Sequence, residues 1–181
     1  MRRFDGSGDY NRSWSEFKQG FGDASGEYWL GNEYLHYLTN SRAYKLRFDL
    51  EDWDGNTAYA EYSSFRVTSE ADNYRLLLGD YSGNASTDQA EDESQGFLYH
   101  KNSQFSTFDR NNDRYDQVYS CIERHQFGGF WFNACARVTP TNNVCGVASC
   151  PGSLNGTKNR WRAWRGDEYT LKKKLMMFRP A

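Results

Sequence analysis

Two features of common protein classes are missing from this chain of 181 residues: a long apolar run and an excess of one charge. No stretch reaches the 18 or more apolar residues of a membrane-spanning helix, so membrane insertion is not expected. The 22 basic and 24 acidic residues nearly balance and give a formal net charge of −2. Nucleic-acid binders normally carry a basic excess, so a nucleic-acid partner is not expected either.

The common sequence motifs of enzymes are also missing. The chain contains no G-x-S-x-G, no H-E-x-x-H and no phosphate-binding glycine pattern, which argues against an enzyme. Histidine is scarce, with only three in the chain. We expect His36 and His100 to be structural. His125 lies in a candidate binding loop and should contact either ligand or solvent.

Cysteine is scarce as well, and all four cysteines lie within thirty residues, at positions 121, 135, 145 and 150. Four cysteines allow three disulfide connectivities, of which the nearest-neighbour scheme closes two local loops. By the chain-entropy model, closing a loop of about 15 residues contributes roughly 3 kcal/mol to stability. Zinc is the alternative, but C-x4-C is at the edge of ligand spacing and no histidine completes a motif. We favour disulfides and therefore an oxidising compartment.

Export requires a leader, and none opens this sequence, because Met1 is followed by Arg2, Arg3 and a polar turn. Either a leader lies upstream or the chain is cytosolic, and the cysteines favour the first. Sequons for N-glycosylation agree with a secreted glycoprotein, and we expect glycans at Asn11 and Asn84.

Aromatic residues are abundant. They make up 17% of the chain, while the hydrophobic fraction is only 38%, so aromatic rings must supply much of the core. The capping-box pattern of Ser13 and Glu16 predicts a short helix over Trp14–Gln19. A second helix is expected after Asn32. Its inward-facing residues should be Tyr34, Leu35 and Leu38.

Alternating apolar residues predict several strands. Residues 43–50, AYKLRFDL, place Tyr44, Leu46, Phe48 and Leu50 on one face. Asp54-Gly55-Asn56 predicts a hairpin turn into a strand over Thr57–Tyr62. The connections are too short for helical crossovers, so antiparallel pairing is expected. Further strands are predicted at Phe65–Val67, at Tyr74–Leu78 and near Tyr169–Phe178.

The stretch 80–160 has little periodicity, and a loop region of this length inside a compact domain points to function. Within it, the segment Phe105–Cys135 carries oxygen-bearing side chains at every second position, namely Asp109, Asn111 and Asp113. Such a run suits a hard cation, which takes many oxygen ligands at about 2.3–2.6 Å. The alternative is an Asx-rich turn that caps itself by hydrogen bonds. An aromatic cluster follows at Phe127, Phe130, Trp131 and Phe132.

Longer blocks of the sequence carry a family resemblance. They read RRFDGSGDYNRSW, GEYWLGNEYLHYLT, YKLRFDLEDWDGNTAYAEYSSF, FSTFDRNND, GGFWFNAC and WRAWRGDEYTLKKKLMMFRP. In this order they resemble the fibrinogen C-terminal globular domain of ficolins, tachylectins, angiopoietins and tenascins. The resemblance runs from Arg2 to Pro180, apart from an insertion near 138–153. It implies an α+β fold with a twisted antiparallel sheet, short helices and a loop-rich calcium- and ligand-binding region at 105–160. It further implies one domain over 1–181 that lacks the family's N-terminal segment.

The resemblance also assigns a calcium site. The second and third acidic positions of the family's loop supply side-chain ligands, and they correspond to Asn111 and Asp113, with Asp109 at the first position. Backbone carbonyls of Tyr115 and Gln117 would complete the shell. Asn111 removes one negative charge, so weakened calcium affinity is expected.

The ligand pocket that the resemblance implies surrounds Cys121 and Cys135, with a cis peptide before Cys121 and an aromatic wall at Trp131 and Phe132. The alternative for these aromatics is a core beneath the disulfide. At three of the pocket positions, this chain has residues other than the polar ones that sugar-binding members carry. The insertion with Cys145 and Cys150 would flank the pocket. The candidate ligand-binding residues are Ser120, Cys121, Ile122, His125, Trp131, Phe132, Ala136 and Lys158.

Together these features favour, as the first hypothesis, a secreted, non-enzymatic recognition lectin of innate immunity. It would bind acetylated compounds or other glycans on microbial or cell surfaces, with calcium support. Single sites of this kind bind weakly, so a homo-oligomer formed through an upstream region is expected. The alternative hypothesis is a protein-binding signalling or adhesion ligand that uses the same loop region, because the changed pocket residues remove sugar-specific polar groups.

Overall fold

The structure is a computed structural model that describes residues 1–86, 96–115, 119–125, 128–142, 148 and 159–181, with the backbone alone at 124 and 125. Its first helix, α1, spans Trp14–Gln19, as the capping-box pattern predicts. The Ser13 hydroxyl accepts a hydrogen bond from the Glu16 N–H, and the Glu16 carboxylate accepts one from the Ser13 N–H at 2.9 Å. These two bonds satisfy N–H groups that a helix start otherwise leaves without partners.

Short and long strands combine into one large antiparallel sheet. The strands of the described chain are β1 (Arg2–Arg3), β2 (Phe21–Gly22), β3 (Tyr28–Trp29), β4 (Tyr44–Glu51), β5 (Thr57–Tyr62), β6 (Phe65–Val67), β7 (Leu76–Leu78), β8 (Tyr81–Gly83) and β9 (Lys173–Pro180). Seven of these form a sheet in the order β2-β3-β1-β9-β4-β5-β8, and β6 pairs with β7 separately. Every pairing is antiparallel, which confirms the prediction.

The core lies against the inner face of β4. Tyr44, Leu46, Phe48 and Leu50 are all buried and the residues between them are not, so the predicted alternation is confirmed. The Phe48 ring centroid lies 4.8 Å from that of Phe97 and 5.1 Å from that of Trp161. Aromatic rings therefore supply much of the core, as the composition requires.

The second helix, α2, spans Asn32–Ser41, but its inward face differs from the prediction. Leu35 is buried, whereas Tyr34 is 59% exposed and Leu38 is 39% exposed. The helix instead turns Asn32 and Thr39 inward, where Asn32 Oδ1 accepts from Trp29 Nε1 and Thr39 Oγ1 accepts from Val67 N–H. Polar residues that satisfy buried donors thus displace two apolar ones from the core side.

Two predicted strands begin later than their patterns suggested. Strand β7 starts at Leu76 rather than Tyr74, because Asn73 and Tyr74 take left-handed φ values of 51° and 50°. Strand β9 starts at Lys173. Two short helices, α3 (Cys121–His125) and α4 (Arg162–Arg165), complete the described elements together with 3-10 turns at Glu70–Asp72 and Phe97–His100. No helix in these ranges is long and apolar enough to cross a membrane.

A buried carboxylate organises the N-terminal turn. Glu27 Oε1 accepts the backbone N–H groups of Phe4, Asp5 and Gly6 at 2.6, 3.0 and 3.0 Å. Its Oε2 accepts the Gly8 N–H at 2.9 Å and Arg3 Nη1 at 2.7 Å. The side chains of Arg3 and Glu27 are both fully buried. Because all these donors converge on one carboxylate, Glu27 fixes the turn to the edge of the sheet.

Candidate functional site

The segment 105–115 is fastened to the core at its start. Ser106 pairs with Phe130 in an isolated antiparallel bridge, and Thr107 pairs with Arg110 to close a turn. Asn112 Nδ2 donates to the Phe105 carbonyl at 2.7 Å. These bonds replace a regular strand ladder and give the loop a defined course.

An aromatic and charged contact joins this turn to α1. The Arg110 guanidinium lies 4.0 Å from the centre of the Trp14 ring, and its Nη2 donates to Asn73 Oδ1 at 2.6 Å. Trp14 Nε1 in turn donates to Glu70 at 2.8 Å. Hydrogen bonds from Lys18 and from Trp14 lower the pKa of Glu70 below its ordinary value, so Glu70 is ionised at neutral pH.

The acidic loop uses its oxygens as internal hydrogen-bond acceptors. Asp109 Oδ1 accepts from the Trp14 N–H at 2.9 Å and from the Thr107 hydroxyl at 2.7 Å. Asn111 Oδ1 accepts from the Asp113 N–H at 3.1 Å. Asp113 accepts the Tyr115 N–H at 2.9 Å through Oδ1 and the Cys121 N–H at 2.8 Å through Oδ2. This network matches the self-capping alternative.

The fit of this loop to calcium is limited. Among the described residues, no group of three or more His, Cys, Asp or Glu side chains is placed to hold a metal ion. The predicted side-chain donors are the amide oxygen of Asn111 and the carboxylate of Asp113, whose two oxygens already accept N–H groups. Calcium normally takes 6–8 oxygen ligands. Gln117 lies outside the described residues, and calcium binding here stays a prediction.

The disulfide between Cys121 and Cys135 is present, with the two Cα atoms 5.5 Å apart. Cys121 opens α3 and is fully buried. Ser120 caps this helix, because its N–H donates to Glu123 Oε2 at 2.8 Å and its hydroxyl accepts the Glu123 N–H at 3.1 Å. Cys145 and Cys150 lie outside the described residues, so their pairing stays a prediction.

The cis peptide was assigned to the wrong cysteine. It lies at Ala134–Cys135, and the Ser120–Cys121 bond is not cis. Cys121 is instead the first residue of α3, directly after the capping residue Ser120. The Ala134 carbonyl accepts a hydrogen bond from the Tyr99 hydroxyl at 2.8 Å, which fixes the peptide group before Cys135.

The predicted aromatic wall is not a surface. Trp131 and Phe132 are buried, and Trp131 Nε1 donates to the Tyr74 carbonyl at 2.7 Å. The Trp131 ring centroid lies 5.2 Å from that of Phe105 and 5.9 Å from that of Trp29. These two residues therefore belong to the core beneath the disulfide, because ring packing and the indole hydrogen bond both hold Trp131 inward. Cys121, Ile122 and Ala136 of the predicted ligand set are buried as well.

His100 organises the backbone behind the disulfide, which confirms its structural assignment. The side chain is fully buried, and Nδ1 lies 2.7 Å from the Trp131 carbonyl. Nε2 accepts the N–H groups of Arg137 and Val138 at 3.3 and 3.2 Å. Accepting at Nε2 requires a neutral ring with its proton on Nδ1. Burial lowers the pKa of His100 to about 3, which agrees with that neutral ring.

Two large aromatics of the segment are exposed. Phe108, at the turn between Thr107 and Arg110, is 55% exposed, and Tyr119, just before the α3 cap, is 63% exposed. Neither residue was predicted as a ligand contact. For Phe108 the signal in the sequence was an aromatic residue between the polar residues Thr107 and Asp109, whereas Tyr119 follows Val118 and carries no such signal. The His125 side chain and Lys158 lie outside the part of the chain that the structure describes.

Comparison with known proteins decides the family. A family model described as fibrinogen beta and gamma chains, C-terminal globular domain, matches residues 1–181. The chain belongs to this family. The resemblance seen in the sequence is thereby confirmed, as is the antiparallel α+β fold.

The curated relative is longer than this chain, and the solved relatives share its fold. Human Angiopoietin-related protein 2 is 42% identical over 180 residues, which cover 99% of this chain and 34% of that protein. The fibrinogen-like globe domain of human ANGPTL2 superposes with a TM-score of 0.90 at 40% identity and covers 99% of this chain and 78% of its own. Lamprey fibrin D-dimer, complexed with the peptide Gly-His-Arg-Pro-amide, gives a TM-score of 0.86 at 33% identity, with coverages of 99% and 59%. The chain thus spans about a third of the length of the curated relative.

Proposed function

We propose that this chain is the protein-binding globe of an extracellular, non-enzymatic ligand. Its partner would be a protein receptor that docks on the loops carrying Phe108, Tyr119 and Ser120. One observation carries the proposal: the predicted sugar-facing aromatics are buried in the core, whereas two other large aromatics of the same segment face solvent. The proposal therefore reverses the order of the two hypotheses drawn from the sequence.

A sugar pocket finds little support at the predicted place. Such a pocket needs an aromatic face open to solvent and a few convergent polar groups. Here Trp131, Phe132 and Ala136 are inaccessible. Ser120, an accessible polar residue next to Cys121, already uses its hydroxyl to accept the Glu123 N–H and its backbone N–H to donate to the Glu123 carboxylate.

Exposed aromatics on a braced loop suit protein recognition. Binding energy at protein interfaces concentrates in a few large side chains, with tyrosine among the most enriched. The turn of Phe108 is closed by the Thr107–Arg110 pairing and tied to α1 by Asp109. Tyr119 is followed directly by the capped start of α3. Because the backbone at Phe108 and the backbone directly after Tyr119 are already fixed, less conformational entropy is lost on binding.

The relatives support the same choice. The matched proteins include an angiopoietin-related protein, and the lamprey fibrin D-dimer was solved with a peptide ligand. The described disulfide agrees with an extracellular location. An oligomer formed through an upstream region would add avidity, as in other multivalent ligands. Calcium support by Asn111 and Asp113 remains part of the proposal.

A cell-binding assay tests the proposal. The fluorescently labelled domain is added to cells that bind it, and to the same cells after mild proteolysis or after glycosidase treatment. In parallel, the domain is applied to a glycan array with calcium and with chelator. We expect binding to be lost on proteolysis, kept after glycosidase treatment, and absent from the array. Array binding to acetylated sugars that chelation abolishes would instead establish the lectin.

Variants locate the docking surface. Phe108→Ala and Tyr119→Ala should each weaken cell binding by about 10-fold or more, the loss expected for a hot-spot side chain. Tyr37→Ala is the matched control, because Tyr37 is an aromatic of similar exposure, 64%, on α2. Equal losses for all three variants, or no loss for the first two, would reject the loop surface.

A further inference from the structure

The outer face of the sheet contains a groove next to a glycosylation sequon. The sequon Asn84-Ala85-Ser86 follows β8 directly, and Asn84 is exposed. The groove has a volume of about 340 Å³. Its lining includes Arg47, Asp49, Thr57, Tyr59, Asn84 and Lys173.

The amide of Asn84 is fixed in orientation by the edge of β5. The side-chain Oδ1 of Asn84 accepts the Tyr59 N–H at 2.8 Å, and the backbone N–H of Asn84 donates to the Tyr59 carbonyl at 3.0 Å. The side chain thus takes the place of a strand residue beyond the end of β8. N-glycosylation replaces a hydrogen on Nδ2 and leaves Oδ1 as an acceptor, so the modification is compatible with both bonds.

Tyr59 offers a surface for a sugar. It is 36% exposed, and because the Arg47 guanidinium lies over one face of its ring, 4.4 Å from the ring centre, a sugar would use the rest of the exposed ring. Arg47 is itself held by Asp49, with Nε donating at 2.8 Å. A tyrosine ring provides an apolar face for the C–H groups of a pyranose, and the surrounding charged groups can meet its hydroxyls. We propose that Asn84 carries an N-linked glycan whose first N-acetylglucosamine lies in this groove against Tyr59.

Such a glycan has a consequence for docking. It covers the outer face of β4 and β5, so protein partners are directed to other surfaces, among them the loops with Phe108 and Tyr119. The inference rests on the proposed extracellular function. The glycan can be tested separately from that function. If the chain is given a leader and expressed in a secretory host, it meets the glycosylation machinery whatever its native location.

Mass spectrometry tests the modification. The domain is expressed with a leader in a mammalian secretory host, and the masses of its proteolytic peptides are compared before and after enzymatic removal of N-glycans. We expect a glycan on the peptide that contains Asn84 in the wild type, in Ser86→Thr and in Asn11→Gln, and none in Ser86→Ala. An unmodified Asn84 in wild-type protein and in Ser86→Thr would overturn the proposal.

Thermal unfolding tests the position of the sugar through a double-mutant cycle. The glycan is removed by Ser86→Ala in the presence of Tyr59 and in Tyr59→Ala, and the four Tm values are compared. With Tyr59 present, loss of the glycan should lower Tm by about 2–4 °C, the shift of an ordinary contact in a domain of this size. In Tyr59→Ala the loss should fall below about 1 °C. Equal shifts in both backgrounds would place the sugar outside the groove.

Discussion

Removing the Glu27 carboxylate should destabilise this domain more than removing any exposed acid. In Glu27→Ala, the fully buried Arg3 loses its carboxylate partner, and the N–H groups of Phe4, Asp5, Gly6 and Gly8 lose their acceptor. Gly8 packs closely on Glu27, since a Cβ at position 8 would lie 2.9 Å from Glu27 Cβ. The turn is therefore packed against the Glu27 side chain as well as hydrogen-bonded to it.

The magnitude follows from the loss of one partner of a buried ion pair, which costs about 3–5 kcal/mol. In a domain of this size, 1 kcal/mol corresponds to a shift of about 2–4 °C, so Tm should fall by roughly 6–20 °C. Burial by itself would raise the pKa of Glu27, but N–H donation from Phe4 and Gly6 and the charge of Arg3 outweigh it and lower that pKa. The folded-state pKa is depressed, so this stabilisation is present above the unfolded-state pKa and is lost as pH falls through the folded-state value.

The assay is thermal and denaturant unfolding of wild type, Glu27→Ala and Glu27→Gln, with Glu168→Ala as an exposed control. Glu27→Gln keeps the shape but turns an NH₂ group toward Arg3 or toward the turn, so it should also be strongly destabilised. Added acetate should raise the Tm of Glu27→Ala and leave wild type unchanged, because acetate can replace the missing carboxylate. Sodium chloride of equal ionic strength controls for salt. A Glu27→Ala Tm within about 2 °C of wild type would refute the reasoning.

Two further predictions concern protons and calcium. Burial holds the pKa of His100 at about 3, below its ordinary 6.5. Between these values the unfolded chain binds a proton that the folded chain does not, so the free energy of unfolding should fall as pH drops from 6.5 toward 3. Unfolding free energies measured across that range should show a shallower slope in His100→Gln than in wild type or in His36→Gln, and parallel slopes would contradict the assignment. At a Kd of about 1 mM, 10 mM calcium stabilises by about 1.4 kcal/mol and should raise Tm by roughly 3–6 °C over magnesium. Asn111→Asp should increase that shift, and no shift in either protein would remove Asn111 and Asp113 from the calcium site.

Local patterns predicted the elements that depend on neighbouring residues. The helix Trp14–Gln19 forms where Ser13 and Glu16 cap it, and β4 alternates as its sequence does. The disulfide of Cys121 also followed from spacing and resemblance. In each case the deciding contacts lie within a few residues, or within one short loop, so the sequence order carries them.

The errors arose where distant segments decide. Tyr34 and Leu38 are apolar at helical spacing, yet they stay accessible while Thr39 faces inward, where Val67, 28 residues later, supplies a donor to it. Trp131 looked like a ligand wall, but its indole N–H finds the Tyr74 carbonyl, 57 residues earlier in the chain. No local pattern reports such a partner, so an aromatic cluster beside a disulfide is compatible with a pocket and with a core.

Several carboxylates in the described part of the chain hold the backbone. Glu27 accepts four backbone N–H groups, Asp52 accepts those of Asp54 and Asn56, and Asp113 accepts those of Tyr115 and Cys121. Loops without a strand ladder leave such donors unpaired, and a short acidic side chain satisfies two or more at once. Capping of backbone N–H groups is therefore a sufficient explanation for the alternating acidic run, without a bound metal ion. Calcium at Asp113 must compete with the N–H of the first residue of α3, and that competition gives a structural reason, besides Asn111, for weak affinity.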